Sequence, residues 1–186
     1  MKHRSIVVGI TGASGAIYAK RLLDKLAALP GTDAAVVFTP CGEQVFRHEL
    51  GDEAFRTLPF KRYDNTDFFA PFASGSSLFD TLIIAPCSMG AVARIAAGLA
   101  SDLVSRTADV MLKERRTLIL VPRETPLNAI HLQNMLRITE AGGIVCPANP
   151  SFYSRPPTIE AVVDTVADRV LQLAGFTTAS PHWGEG

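Results

Sequence analysis

The sequence has no excess of charge of either sign. Its 186 residues carry 18 Lys and Arg against 18 Asp and Glu, and charged residues make up 19% of the chain, below the typical share of about 25%. A protein that binds duplex nucleic acid normally carries a basic excess that neutralises phosphates. The composition therefore argues against a nucleic-acid partner, and the low charge indicates that part of the surface faces another subunit.

Cysteine and histidine are scarce as well. The three cysteines (Cys41, Cys87, Cys146) are odd in number and lack C-x-x-C spacing, and the four histidines form no H-x-x-x-H pair. This pattern argues against a disulfide framework and a zinc site, and it favours a reducing compartment such as the cytoplasm. We therefore expect no metal.

Long hydrophobic runs are missing too. The richest apolar stretch, Leu82–Ala100, is interrupted by Pro86 and Arg94, so no run reaches the length of a membrane span. The first residues lead directly into the apolar segment Ser5–Ile10, whose six residues are too few for the apolar region of a signal peptide, and no small-residue cleavage site follows it. We expect neither membrane insertion nor secretion.

What is present is an alternation of short apolar runs with longer helical segments. The runs predict strands at Ser5–Ile10, Ala34–Thr39, Thr81–Ala85, Thr117–Val121 and Gly143–Cys146. Their continuous apolar character suits strands that are covered on both faces. Helical spacing appears at Leu22, Leu23, Leu26 and Leu29 before Pro30-Gly31, and at Ile159, Val162, Val163, Val166 and Val170 between an N-cap at Thr158 and Gly175. 

This pattern predicts a three-layer, doubly wound α/β fold of the Rossmann or flavodoxin-like type, a mostly parallel sheet with helices on both faces. At about 100–200 residues per domain, the length predicts one domain, which we place at residues 1–176. Residues 177–186 are expected to form a C-terminal tail.

Ligands of such sheets lie beyond the carboxyl ends of the strands. The first predicted strand is followed by the small residues Gly12, Ala13 and Ser14 at a helix start, where backbone N–H groups favour a phosphate; the alternative is a plain tight turn. The spacing is not that of a dinucleotide motif. The second strand ends at Thr39, whose hydroxyl suits a phosphate or ribityl chain.

The later strand ends carry further candidates. Cys87 lacks a nearby base and is expected to be a buried, unreactive thiol. Arg123 and Glu124 lie between two prolines; they are either functional or a surface ion pair that caps the next helix. The basic segment that includes Arg106 and Lys113 is either functional or a solvated helix face. Three phenylalanines in residues 67–77 could line an apolar wall or belong to the core or an interface. Together these residues predict a phosphorylated, partly apolar ligand.

Several stretches resemble the flavin prenyltransferase (UbiX-like) family. They are Thr11–Ala16, Asp67–Ser76, Pro86–Met89, Ala108–Arg116, Leu120–Pro126, His131–Met135, Phe152-Tyr153 and Trp183–Glu185. Two positions depart from the family pattern: Phe68 stands where many members have tryptophan, and Gly90 stands where a larger or hydroxyl residue is common.

The resemblance implies an enzyme that joins the dimethylallyl group of dimethylallyl monophosphate to N5 and C6 of reduced FMN without a metal. The prenylated FMN would serve a UbiD-like decarboxylase, and the enzyme would be a homo-oligomer, a dodecamer, in the cytoplasm. Residues 1–176 would then be the FMN-binding domain, and the tail with Trp183 would fold over a site, including that of a neighbouring subunit.

The resemblance also implies the site residues. FMN would contact Gly12, Ala13, Ser14, Thr39, Cys87, Ser88, Met89, Gly90 and Arg123. The prenyl phosphate would contact Arg106, Lys113, Tyr153 and Arg169, with Phe68 and Trp183 near the prenyl group. Glu124 would be the acid–base residue, and catalysis would also use Ser14, Lys113 and Glu49.

Two other interpretations are open from the sequence. One is a flavin-dependent cysteine-type decarboxylase of the same fold, for which His48 lies in a suitable region but Pro147–Pro150 lacks the expected methionine. The other is a flavodoxin-like electron carrier, which would normally be acidic.

Overall fold

The computed structural model describes residues 4–178. This part of the chain forms a six-stranded, all-parallel sheet of order β3-β2-β1-β4-β5-β6. The strands are β1 Arg4–Ile10, β2 Thr32–Phe38, β3 Lys61–Tyr63, β4 Thr81–Cys87, β5 Thr117–Pro122 and β6 Ile144–Val145. The strand order reverses between β1 and β4, and this switch point is where a doubly wound sheet opens a crevice for ligands.

The helices connect the strands and cover both faces of the sheet. They are α1 Ala16–Ala28, α2 Pro40–Arg56, α3 Met89–Ala96, α4 Leu103–Lys113, α5 Ala129–Glu140 and α6 Ile159–Leu173. Because side chains alternate along a strand, Ile6 and Val8 of β1 enter the core under α1, α2 and α6, whereas Val7 enters the core under α3 and α4. The predicted doubly wound α/β fold is therefore confirmed.

Most predicted elements are found, with three differences. The sequence analysis missed β3, whose three residues Lys-Arg-Tyr are polar or half-buried at the edge of the sheet. The last predicted strand shrinks to Ile144–Val145. The stripe of α6 buries Val163, Val166 and Val170 as expected, and Thr158 caps the helix, but Ile159 is 72% exposed.

Candidate functional site

The hydroxyl of Thr11 ties together the turns at the carboxyl ends of β1 and β4, and a backbone bond adds the end of β2. Its Oγ1 donates to the carbonyl oxygen of Pro86 at 2.9 Å and accepts from the backbone N–H of Ser88 at 2.7 Å. The backbone N–H of Thr39 donates to the carbonyl oxygen of Ile10 at 2.9 Å. These bonds fix the width of the crevice at the switch point.

The turn of Gly12, Ala13 and Ser14 leads into α1, and Glu49 of α2 covers the start of that helix. The Glu49 carboxylate accepts from the backbone N–H of Gly15 at 3.0 Å and of Ala16 at 2.7 Å. Gly15, the N-cap, has a φ of 110° and no side chain that could cap the helix, so the carboxylate satisfies donors that the cap leaves free.

The electrostatics of Glu49 agree with this geometry. Burial raises the pKa of its carboxyl, but hydrogen bonds from the Ser14 side chain and the two backbone N–H groups, with the nearby charge of Arg123, lower the pKa overall. The phosphate predicted at the N-terminus of α1 therefore meets an anion that is already in place. The structure corrects this part of the sequence interpretation.

Arg123 and Glu124 follow β5, and Arg123 reaches back to the turn after β1. Arg123 Nε donates to the carbonyl oxygen of Ser14 at 2.9 Å, and the exposed Glu124 carboxylate accepts from the backbone N–H of Thr125 at 3.1 Å. The next helix, α5, is capped by Asn128 in a capping box with His131. The alternative of a helix-capping ion pair is therefore wrong, and both side chains line a cavity of about 420 Å³.

A second cavity, of about 490 Å³, lies over the ends of β1, β2 and β4. Gly12, Thr39 and Ser88 line it, as predicted for a flavin-binding turn, and the exposed Cys41 and Arg94 line it as well. Gly12 lacks a side chain for a physical reason, because a Cβ there would lie 2.7 Å from Cys41 Cβ. The close backbone approach and the hydroxyl donors suit the phosphate and ribityl parts of a flavin.

Two residues predicted to line the flavin are buried instead. Cys87 is 0% exposed, and burial raises the pKa of its thiol to about 12, so the predicted unreactive thiol is confirmed. Met89 is 5% exposed and packs in the core under α3. Neither side chain can contact a ligand at the surface of the crevice, and only their backbone remains available, whereas Gly90 is exposed.

A separate group of predicted residues lies along α4. Arg106 Nε donates to the carbonyl oxygen of Ala73 at 3.0 Å, and Arg106 also pairs with Asp109. Lys113, at the end of α4, pairs with Glu114 and approaches Gly75. Because α4 runs back along the sheet to the start of β5, Lys113 lies near the amino-terminal end of β5, and Glu124 follows its carboxyl end.

The aromatic loop and the C-terminal candidates are mostly exposed. Phe72 is fully buried, whereas Phe68 is 47% and Phe69 is 99% exposed. Tyr153 is 82% exposed, and Arg169 on α6 donates to Gln172 at 3.3 Å. Trp183 and the predicted tail from residue 179 onward lie outside the described residues.

Sequence reasoning did not single out Arg94, which lines the cavity over the ends of β1, β2 and β4. Its signal was nonetheless present, since it is one of the two residues that interrupt the apolar stretch Leu82–Ala100. Within residues 4–178, no group of three His, Cys, Asp or Glu could hold a metal ion. None of the helices in that part of the chain is long and apolar enough to span a bilayer.

Comparison with known proteins agrees with this geometry. A family model described as Flavoprotein matches residues 1–171. The Flavin prenyltransferase UbiX of Methanothermobacter thermautotrophicus is 44% identical over 175 residues, which are 93% of this chain and 91% of that protein.

Solved structures show the same relationship. A crystal structure of AnUbiX (PadA1) in complex with FMN and dimethylallyl pyrophosphate has 39% identity and a TM-score of 0.90, and the match covers 98% of this chain and 100% of that one. A dodecameric FMN-dependent UbiX-like decarboxylase from Escherichia coli O157:H7 has 37% identity and a TM-score of 0.91, with the same coverage.

The alternative of a flavin-dependent cysteine-type decarboxylase finds much weaker support. The FMN-dependent cysteine decarboxylase TvaF has 14% identity and a TM-score of 0.62 over 89% of this chain and 99% of its own, so it shares the fold alone. The family model, the identity over most of the sequence and the strand-end residues lead to one conclusion: this chain belongs to the flavin prenyltransferase family within the flavoproteins.

Proposed function

We propose that this chain joins the dimethylallyl group of dimethylallyl monophosphate to N5 and C6 of reduced FMN. The observation that carries the proposal is the meeting of Ser14, Glu49 and Arg123 at the start of α1, beside the switch point of the sheet, with Glu124 next to Arg123 in the chain. The solved relative that holds FMN and dimethylallyl pyrophosphate supports FMN together with a dimethylallyl phosphate ester as the pair of ligands.

The chain's own residues have clear parts in this chemistry. Reduced FMN supplies the nucleophilic N5 and C6. Gly12, Ser14, Thr39, Ser88 and Arg123 would orient it in the crevice, and Arg123 is held for this by its bond to the Ser14 carbonyl. Ring closure would join C6 to the tertiary carbon of the dimethylallyl double bond, with one proton added to the adjacent carbon and one lost from C6; the exposed Glu124 carboxylate would accept the proton from C6.

Departure of the phosphate requires positive charge in the absence of a metal. Arg106, Lys113, Tyr153 and Arg169 supply suitable donors, and an exposed ring such as Phe68 would stabilise the allylic cation by cation–π attraction. Within one chain, Lys113 and Glu124 lie beyond opposite ends of β5. We therefore propose that Lys113 enters the active site of a second copy of the chain.

Exposed apolar side chains support this assembly. Phe69, Leu78, Tyr153 and Ile159 are each more than 70% exposed. Only Ile138 is buried among the twelve residues of α5. Such surface normally faces a partner, and the E. coli relative is dodecameric. We propose a homo-oligomer of the same kind.

The cysteines indicate a cellular compartment for the proposed enzyme. Cys41, Cys87 and Cys146 are all free thiols, which suits the cytoplasm. Following the resemblance, the product would pass to a UbiD-like decarboxylase.

An anaerobic incubation tests the reaction. The protein is mixed with reduced FMN and either dimethylallyl monophosphate or the pyrophosphate, and the released flavin is analysed by mass spectrometry. We expect a flavin that is heavier by one isoprenyl unit, formed by wild type and not by E124Q. FMN that is bound but returned unmodified with both phosphates would overturn the proposal and favour a carrier or decarboxylase.

A further inference from the structure

Arg116, which follows the end of α4, anchors the aromatic loop of residues 67–77. Its guanidinium donates to two carbonyl oxygens, from Nη2 to that of Gly75 at 2.6 Å and from Nη1 to that of Phe79 at 3.0 Å. The backbone N–H of Arg116 donates to the carbonyl oxygen of Met111 at 2.8 Å, so the side chain starts from a fixed point. One guanidinium therefore brackets the end of the loop.

Two cations that we propose for the prenyl phosphate rest on the same stretch of the loop. Arg106 Nε donates to the carbonyl oxygen of Ala73 at 3.0 Å. Lys113 lies so close to Gly75 that a Cβ at this position would be 2.6 Å from Nζ. The positions of both cations therefore depend on where the backbone between Ala73 and Gly75 lies.

The loop has little of its own to fix that stretch. Its internal bonds join Ser74 Oγ to Ser76 Oγ at 3.1 Å, and the backbone N–H of Ser77 to the carbonyl oxygen of Ser74 at 3.1 Å. Gly and Ser residues give up much backbone freedom when a loop is ordered. The two bonds from Arg116 are thus a main source of order at this end of the loop.

We infer that Arg116 is a positioning residue for the prenyl phosphate, because it holds the loop on which Arg106 and Lys113 rest. The inference rests on the proposed function, since both cations serve that reaction. A guanidinium spans two carbonyl oxygens with its planar fork, whereas the compact ammonium of lysine on a flexible stem lacks this geometry. The role of Arg116 therefore depends on the shape of its side chain and not on its charge alone.

The test is a calorimetric titration of dimethylallyl monophosphate into protein loaded with oxidised FMN, which lacks the electrons needed to react. For R116Q we expect the affinity for the monophosphate to fall about threefold to tenfold. This is a part of the roughly tenfold to hundredfold loss expected when a charge-assisted hydrogen bond is removed outright. R116K should lose about as much as R116Q. The FMN affinity, measured by fluorescence titration, should stay within twofold of wild type in both variants.

R115Q is the matched control. Arg115 is the exposed neighbour of Arg116 and makes no side-chain hydrogen bond within residues 4–178. The substitution removes the same charge from the same turn, and it should leave both affinities unchanged. An R116K protein with wild-type affinity for the monophosphate would overturn the inference, because charge alone would then explain any loss in R116Q.

G75A decides the matter if R116Q does not fold. Its added Cβ would meet the flexible end of Lys113, so the side chain can shift while the fold is kept. We expect the same threefold to tenfold loss of affinity for the monophosphate, with FMN binding unaffected. Wild-type affinity in R116Q or G75A would overturn the inference and leave the proposed function intact. Failure of FMN-loaded wild type to bind dimethylallyl monophosphate would overturn both.

Discussion

The Glu49 carboxylate at the start of α1 gives a quantitative prediction for E49Q. The substitution keeps the shape of the side chain and one oxygen that can accept a hydrogen bond. It removes the negative charge of the carboxylate, which accepts from the backbone N–H groups of Gly15 and Ala16. A hydrogen bond to a charged group contributes about 1.5–3 kcal/mol, and an anion at a helix N-terminus about 0.3–1 kcal/mol. Water screens this partly exposed carboxylate, so we expect a loss of about 1–2 kcal/mol in the free energy of unfolding.

The assay is urea denaturation at fixed protein concentration, with E43Q as the matched control. Glu43 lies on the same helix and pairs with Arg47 at the exposed surface, where such pairs contribute little, so E43Q should resemble wild type. The thermal midpoint of E49Q should fall by roughly 2–8 °C. An E49Q protein as stable as E43Q at neutral pH would refute the reasoning.

The pH dependence provides an independent check. The pKa of Glu49 is lowered in the folded protein, so its contribution to stability is fully present at neutral pH and is lost as the pH falls through the folded pKa. The stability difference between wild type and E49Q should therefore shrink toward zero in acid. A difference that stays constant with pH throughout the acid range in which the protein remains folded would show that the charge is not its cause.

Three further predictions concern the proposed reaction and the thiols. E124Q should lower the prenylation rate about 10²–10⁴-fold, as expected for the loss of an acid–base group. The FMN affinity, measured by fluorescence titration, should stay within threefold of wild type. An unchanged prenylation rate would remove Glu124 from the chemistry. K113A and E124Q should each be inactive on their own. If one site takes Lys113 and Glu124 from different copies, an equal mixture of the two variants, dissociated and reassembled, should recover about a quarter of wild-type activity, because a quarter of the sites then contain both residues. No recovery would place both residues of a site in one chain. A coloured thiol reagent at pH 8 should label the exposed Cys41 and spare Cys87. The pKa of about 12 for the Cys87 thiol leaves roughly one molecule in ten thousand as the reactive thiolate at this pH. Rapid labelling of Cys87 in the native protein would contradict its burial.

The fold could be predicted because its signals are local. Apolar runs such as Ser5–Ile10 and Thr117–Val121 are buried on both faces, and Thr158 caps α6 as its position predicted. The failures have local causes too. β3 is short and polar, so its pairing with β2 depends on backbone hydrogen bonds that no side-chain pattern records. Ile159 fits the helical spacing of α6 yet is exposed, since spacing does not show where the sheet beneath a helix ends.

The site was predictable only in part, because its residues meet across long sequence separations. The strand ends located Ser14, Thr39, Ser88 and Arg123 from the sequence. Nothing in the chain's local pattern indicates that Glu49 reaches back 33 residues to the N–H of Ala16. The resemblance supplied Glu49 as a candidate, and the structure supplies its role as an anion at the start of α1.

The two edge strands, β3 with three residues and β6 with two, have a consequence for local opening. Such short edges offer little backbone to a neighbouring sheet, which limits edge-to-edge aggregation. Amide hydrogens of β3 and β6 should exchange first, through opening events that cost little free energy. The crevice lies between β1 and β4, each flanked by a paired strand on both sides, so fraying at the edges leaves its geometry unchanged.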